Sequence, residues 1–482
     1  MFADARDVPD GTELAADVCI VGAGAAGITI ARELLSGDRR VVLLESGFDD
    51  PDPVTQTLYD GASRGLRYFP LGDAGTRTRQ FGGSTNRWNG ECRPLAAFDF
   101  ETRAWMRDSG WPFDLAHLRP YYDRAQTVCE LGPFASSAPD GRLDGTVEPA
   151  VIQYSAPTRI GPVARDELAR ATNTTVVLGA NVVELASSPS GREVERVVVA
   201  ALTGPRFVVR ARAVVLACGG IENARLLLAS DRVVRSGIGN GHDLVGRYFM
   251  EHLYLDGAAT ISVDRGFRSR YGRDQVTGTE RVRYALTLSE PTQRAEQLPG
   301  STFVLGNVFT PPGWGGRVRT TVRRVSTAVR RSAPLSVKHI QEQVPNRASR
   351  VVLAAERDRL GSRSADLDWQ VSPVDKEAAA RSYALLDGAL RTAGIGRVVD
   401  SRLDEGPDWP DDLRGARHHM GTTRMHADPT RGVVDADGRV HDVANLYLAG
   451  SSVFPTSGTA NPTLTIVALA LRLADHLRSV VR

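Results

Sequence analysis

The chain has 482 residues, 42% of them apolar and 24% charged, which fits a soluble chain too long for one ordinary core and built from two domains that can interleave. A net charge of +2 gives no electrostatic footprint for nucleic acid, and the basic residues are nearly all arginine, leaving only Lys338 and Lys376 for Schiff-base chemistry. Cys19, Cys92, Cys129 and Cys218 form neither a zinc pattern nor a disulfide framework, the polar N-terminus lacks the layout of a signal peptide, and no apolar run reaches the roughly 18 residues of a membrane span, so the expectation is a cytoplasmic protein without a bound metal.

Residues 17–46, DVCIVGAGAAGITIARELLSGDRRVVLLES, carry the strongest local pattern. An apolar run over Asp17–Val21 predicts a strand, and apolar residues at helical spacing from Ala25 to Leu35 predict a helix. Between them Gly22, Gly24 and Gly27 give G-x-G-x-x-G. Gly22 permits the tight turn, Gly24 lets a diphosphate approach the backbone, and Gly27 lets helix pack on strand. The free N–H groups at the helix start then face the phosphates. A second strand, Val41–Leu44, ends in Glu45, placed to accept from ribose hydroxyls.

Further along, VRARAVVLACGGIENARLLLAS (209–230) predicts a strand at Ala213–Ala217, a turn at Gly219 and Gly220, and a helix. TLSEPTQ (287–293) and SADLDWQVSPVD (364–375) mix strand and turn signals. The stretch 317–333 holds six arginines, with Val318, Val322, Val325 and Val329 on one side of a helix. It reads first as an amphipathic surface helix, second as a membrane-surface or partner-docking helix. RHHMGTTRMH (417–426) holds three of the nine histidines. In an extended segment the side chains of His418 and His419 point to opposite faces, and His426 reads as a loop residue. NLYLAGSSVFP (445–455) predicts a strand at Leu446–Leu448 running into Gly450. A buried helix follows from Pro462 to about Leu477, with Asn461 in the position of a good N-cap.

These pieces resemble the glucose–methanol–choline (GMC) flavoprotein oxidoreductases from end to end: GAGAAG with Glu45, FGGSTNRWNG (81–90), ACGGIENARLLL (217–228), LVGRYFMEH (244–252), HHMGTTRM (418–425) and AGSSVFPTSGTANPTLTI (449–466). Within the family the likeness is to pyranose oxidases and bacterial glycoside 3-oxidases. It implies an α/β fold: a Rossmann-like FAD domain over 1–90, 155–250 and 411–482, and a substrate domain on an antiparallel sheet over 91–154 and 251–410. It implies cofactor contacts at Gly22, Gly24, Gly27, Glu45, Gly82, Gly83, Val182, Ala217, Gly219, Gly450, Ser451, Asn461, Pro462 and Thr463, with Asn89 near the reactive edge of the flavin. Some pyranose oxidases tether the flavin through a histidine in the segment matching 84–89; here that segment is STNRWN, so FAD is expected to be non-covalent.

The family pattern H-x-x-G, counted back from Gly421, lands on His418 as the base that takes the hydroxyl proton, a task suited to a neutral imidazole. The family's second catalytic position is His or Asn, here Asn461, with its helix N-terminus facing the flavin. Glu342 and Gln343 fall where the chain should roof the pocket, and one of them is expected to contact substrate hydroxyls. The expected reaction is oxidation of a sugar or glycoside CH–OH to the ketone, with oxygen or a quinone as final acceptor. The rival is a dehydrogenase of an aminocyclitol or other natural-product alcohol. Minor alternatives are a non-redox hydroxynitrile lyase and a flavin-binding partner protein.

Overall fold

The computed structural model describes residues 1–134, 143–156, 159–307, 334–401, 403, 409–410 and 413–481, so the arginine-rich stretch 317–333 lies outside the described residues. The apolar runs Val18–Val21, Val41–Leu44, Ala213–Leu216 and Leu446–Leu448 are buried throughout, as parallel strands covered on both faces are. Thr174–Leu178, Val41–Leu44, Glu13–Val21, Arg206–Leu216 and Leu446–Leu448 lie side by side and parallel in that order. Phe2–Asp4 extends one edge, and the antiparallel pair Val194–Ala200 and Asn181–Ser187 extends from the first half of Arg206–Leu216. The strands expected at Ala213–Ala217 and Leu446–Leu448 therefore lie in one sheet with the N-terminal pair. Their carboxyl ends at Val21, Leu216 and Leu448 open on one edge, where ligands bind in open α/β sheets.

The helix Ala25–Glu33 leaves Val21 through the glycine turn and packs against Thr463–Val480. The latter is buried around most of its circumference, from Leu464 to Leu477, because it also packs against Leu115–Val128.

The second sheet is antiparallel, in the order Gly396–Ser401, His252–Val263, Leu335–Glu342, Ser301–Asn307, Glu280–Leu288, Val147–Tyr154 and Glu91–Cys92. The long helix Pro373–Thr392 turns Ala378, Ala379, Tyr383 and Leu386 inward. The segment 287–293 resolves into the end of Glu280–Leu288 and the helix Glu290–Glu296.

Two elements depart from the domain limits read from sequence. Arg350–Arg357 and Arg363–Trp369 join Ser63–Gly65 in a small third sheet and pack against the helix Gly219–Ala229, so they side with the nucleotide half. Arg414–Gly415, assigned to that half, instead pairs with Leu253 and Tyr254 of the antiparallel sheet. Alternation marks a strand but not the sheet it joins. Among the described residues no helix is long and apolar enough to cross a membrane.

Candidate active site

A cavity of about 860 Å³ opens at the carboxyl edge of the parallel sheet and runs beneath the antiparallel sheet. Its volume is at the upper end of the ordinary range for small-molecule sites. Gly24, Gly219 and Gly450 line it, one after each of the three converging strands. A Cβ built on any of them meets nothing within 4 Å, so their missing side chains open onto the cavity instead of onto packed protein. Three helices begin at its wall, at Ala25, Gly219 and Thr463, and none has a side-chain cap at its N-cap residue. Uncapped N–H groups facing room made by glycine fit a dinucleotide diphosphate and the flavin it carries.

The other glycines serve the fold behind this cradle. A Cβ on Gly27 would fall 1.9 Å from the Gly22 carbonyl oxygen, which is why helix and strand can touch there. Gly22, at φ 98°, turns beneath Ala217. Gly82 (φ 97°) donates its N–H to the Ala23 carbonyl at 2.8 Å and packs on Gly161, while Gly83 lines the cavity over Gly24. Gly22 lines the cavity; Gly27 and Gly82, expected as cofactor contacts, do not.

Glu45 lines the cavity where the sequence put it and accepts from the N–H groups of Ala23 and Gly47, each at 2.8 Å. Burial raises its pKa, against the pull of those two donors. Val182 and Ala217 are beside it in the lining. The sequence reading missed the charge cluster next to them: Arg77, Arg79 and Arg225 converge on Glu222 at 2.8–3.1 Å. Burial would raise the Glu222 carboxyl, but Arg225, Arg79 and Arg77 outweigh it and hold it at about 2. Three cations around one anion leave this wall electropositive.

At the other end His418 and His419 both line the cavity and part to opposite sides. His418 Nδ1 lies 3.0 Å from His252 Nδ1, and its ring is edge-on to Tyr254. His419 Nε2 lies 2.8 Å from the Tyr68 hydroxyl, which donates to Glu251 Oε1. Oε2 of the same Glu251 accepts the backbone N–H groups of Ala416 and His418, each at 2.9 Å. Burial raises Glu251 to about 7 despite these donors. Burial also holds His418 well below the usual imidazole range, helped by His252, Lys338 and His419, and takes His419 down to about 3. His426 is elsewhere, accepting the Asp428 N–H. Glu251 and His252 were quoted in a motif but given no role, since nothing local in LVGRYFMEH marks them.

Asn461 lines the cavity with Ser451, Pro462 and Thr463. It does not cap the helix, which starts at Thr463; its Nδ2 donates to Glu91 Oε2 at 3.4 Å. Asn89 and Glu91 line the same region, Glu91 being an acid two residues past Asn89 that the sequence reading passed over. Glu342 and Gln343 are corrections. Both are fully buried outside the cavity lining. Glu342 makes a two-pronged ion pair with Arg103 at 2.6 and 2.7 Å and accepts the Gly300 N–H. Gln343 accepts from the Glu251 N–H and Trp369 Nε1. Their polar atoms are engaged in bonds within the protein, away from the cavity.

A parallel sheet with a glycine-lined cradle, roofed by an antiparallel sheet, with two histidines at the cradle's end, is the frame of an oxidoreductase. The comparisons with known proteins agree. Residues 345–470 match the GMC oxidoreductase family model. The 6'''-hydroxyparomomycin C oxidase of Streptomyces lividus is 28% identical over 96% of this chain and 92% of its own. The paromamine 6'-oxidase of Streptomyces fradiae is 27% identical over 95% and 90%. The crystal structure of pyridoxine 4-oxidase from Mesorbium loti shares the fold with a TM-score of 0.59 at 19% identity, covering 96% of this chain and 99% of that one. The chain is thus similar to GMC oxidoreductases, by the family model over its C-terminal quarter and by two oxidases along nearly its whole length.

Proposed function

We propose that this protein oxidises a CH–OH group of a sugar or glycoside to the carbonyl, with FAD held non-covalently in the glycine cradle. Bound FAD supplies the hydride acceptor. His418 takes the hydroxyl proton, and Asn461, anchored on Glu91, orients the oxygen that loses it. A neutral ring is the form that can accept a proton, and burial keeps His418 in it. The observation that carries the reading is that His418 and Asn461 line the same cavity as Gly24, Gly219 and Gly450. Full-length relatives named for paromamine and 6'''-hydroxyparomomycin C oxidation support the substrate class.

An amino-sugar or aminocyclitol substrate is the second reading. Glu91 and Asp256 in the lining would pair with an ammonium, but Lys338, Arg414 and Arg417 line the same region, so neutral sugars stand first. A cytoplasmic location is in keeping with four free cysteines. The test is anaerobic mixing of the yellow protein with monosaccharides, glycosides and amino sugars that offer primary and secondary hydroxyls. Bleaching identifies the substrate, and recovery of colour with air or with a quinone identifies the acceptor. No bleaching by any member removes the reading.

A further inference from the structure

His252 is fully buried at the start of the strand His252–Val263, and its Nε2 faces the Ser457 carbonyl oxygen at 3.3 Å. A carbonyl can only accept, so this nitrogen carries the hydrogen. Burial holds the ring neutral, at about 4, and it holds His418 neutral as well. A neutral imidazole has one N–H, and that of His252 is committed to Ser457. Its Nδ1 is therefore an acceptor, and the atom 3.0 Å away, His418 Nδ1, must be the donor. The lone pair of His418 is left on Nε2, which has no protein partner among the described residues, in a ring that lines the cavity.

We propose that His252 is a positioning residue that fixes His418 in its Nδ1–H tautomer, so that the basic Nε2 faces the substrate hydroxyl. The proposal rests on the oxidation reading above. In the step it serves, the substrate O–H bond breaks, the proton passes to His418 Nε2, and the ring becomes an imidazolium with its Nδ1–H still donated to His252. The neighbouring Glu251 holds the backbone of the same residue, so two consecutive side chains fix His418, one its ring and one its amide. Without His252 the ring could turn over or change tautomer, and a base in the wrong tautomer loses much of its effect.

The test uses FAD-loaded protein labelled with 15N-histidine, the His418 signals being assigned by their loss in His418→Ala. Wild type should show a pyrrole-type Nδ1 and a pyridine-type Nε2 for His418, and His252→Leu should show an averaged pair. His252→Leu should slow flavin reduction about 10- to 10³-fold with an unchanged flavin spectrum, given what a positioned base contributes. His252→Asn, whose Oδ1 can accept in place of Nδ1, should recover to within about tenfold of wild type. A pyridine-type Nδ1 on wild-type His418 overturns the proposal, as does equal slowing by Leu and Asn. Should His252→Leu fail to fold, the wild-type spectrum and His252→Asn decide. If no sugar reduces the flavin, the oxidation reading fails while the tautomer spectrum still tests this one.

Discussion

The Nδ1 atoms of His418 and His252 lie 3.0 Å apart across 166 residues of sequence, tying the C-terminal segment of the nucleotide half to the first residue of a substrate-sheet strand. Two imidazoles at this distance need one donor and one acceptor, so protonating His252 at Nδ1 would set two donors against each other. Burial, His252, Lys338 and His419 all lower His418. The limiting rate of flavin reduction should therefore hold its plateau as pH falls through about 6.5, the ordinary value for histidine, and decline only in more acid solution. Anaerobic stopped-flow across pH checks this, and a half-fall at or above that value contradicts it.

The same burial gives a stability signature. His252 sits at about 4 in the folded chain and at about 6.5 when unfolded. Between those values the unfolded chain binds the extra proton, so the contribution is complete above the upper value and is lost as pH falls toward the lower. His252→Asn cannot titrate. Relative to wild type it should gain up to about 1.4 kcal/mol for each pH unit below that upper value. Urea unfolding at neutral and mildly acid pH measures the difference, and a pH-independent gap would contradict the assignment.

Gly24 and Gly27 separate cofactor binding from folding. Gly24→Ala adds a methyl group to the cavity with no protein atom within 4 Å, so the variant should fold at wild-type stability as apoprotein and retain FAD poorly. Gly27→Ala drives a methyl group to 1.9 Å from the Gly22 carbonyl oxygen and should destabilise the fold itself, by about 1–3 kcal/mol. Apoprotein melting and FAD titration distinguish the two; equal loss of stability in both would refute the division.

Arg103 and Glu342 are fully buried and pair through both carboxylate oxygens. Removing one charge strands the other, so Glu342→Gln should cost about 3–5 kcal/mol of stability. Folded Glu342→Gln should keep the wild-type KM for the sugar, because the side chain lies outside the cavity lining. A raised KM with unchanged stability would restore the substrate role first expected of it.

The nucleotide half was legible because its signals are local. The glycine spacing from Gly22 to Gly27, the four-residue run Val41–Leu44 and the strand at Leu446–Leu448 each follow from a short window of sequence, and each is found in place. Glu342 was misread for the opposite reason: a charge beside a strand does not reveal which face it takes, and its partner Arg103 is 239 residues away. His252 and Glu251 escaped notice because contacts to His418 and Tyr68, far away in the chain, make their roles. Asn461 was ambiguous between capping and the cavity, and only the start of the helix at Thr463 settles that it does not cap.

The central claim, that His418 is the base at the end of the cofactor cradle, is tested most directly by the single-turnover rate of flavin reduction in His418→Ala, using the sugar that bleaches wild type fastest. The rate should fall by at least about 10²-fold while the flavin spectrum stays as in wild type, and His419→Ala should fall far less. A His418→Ala rate close to wild type, or the large loss appearing in His419→Ala instead, would contradict the account.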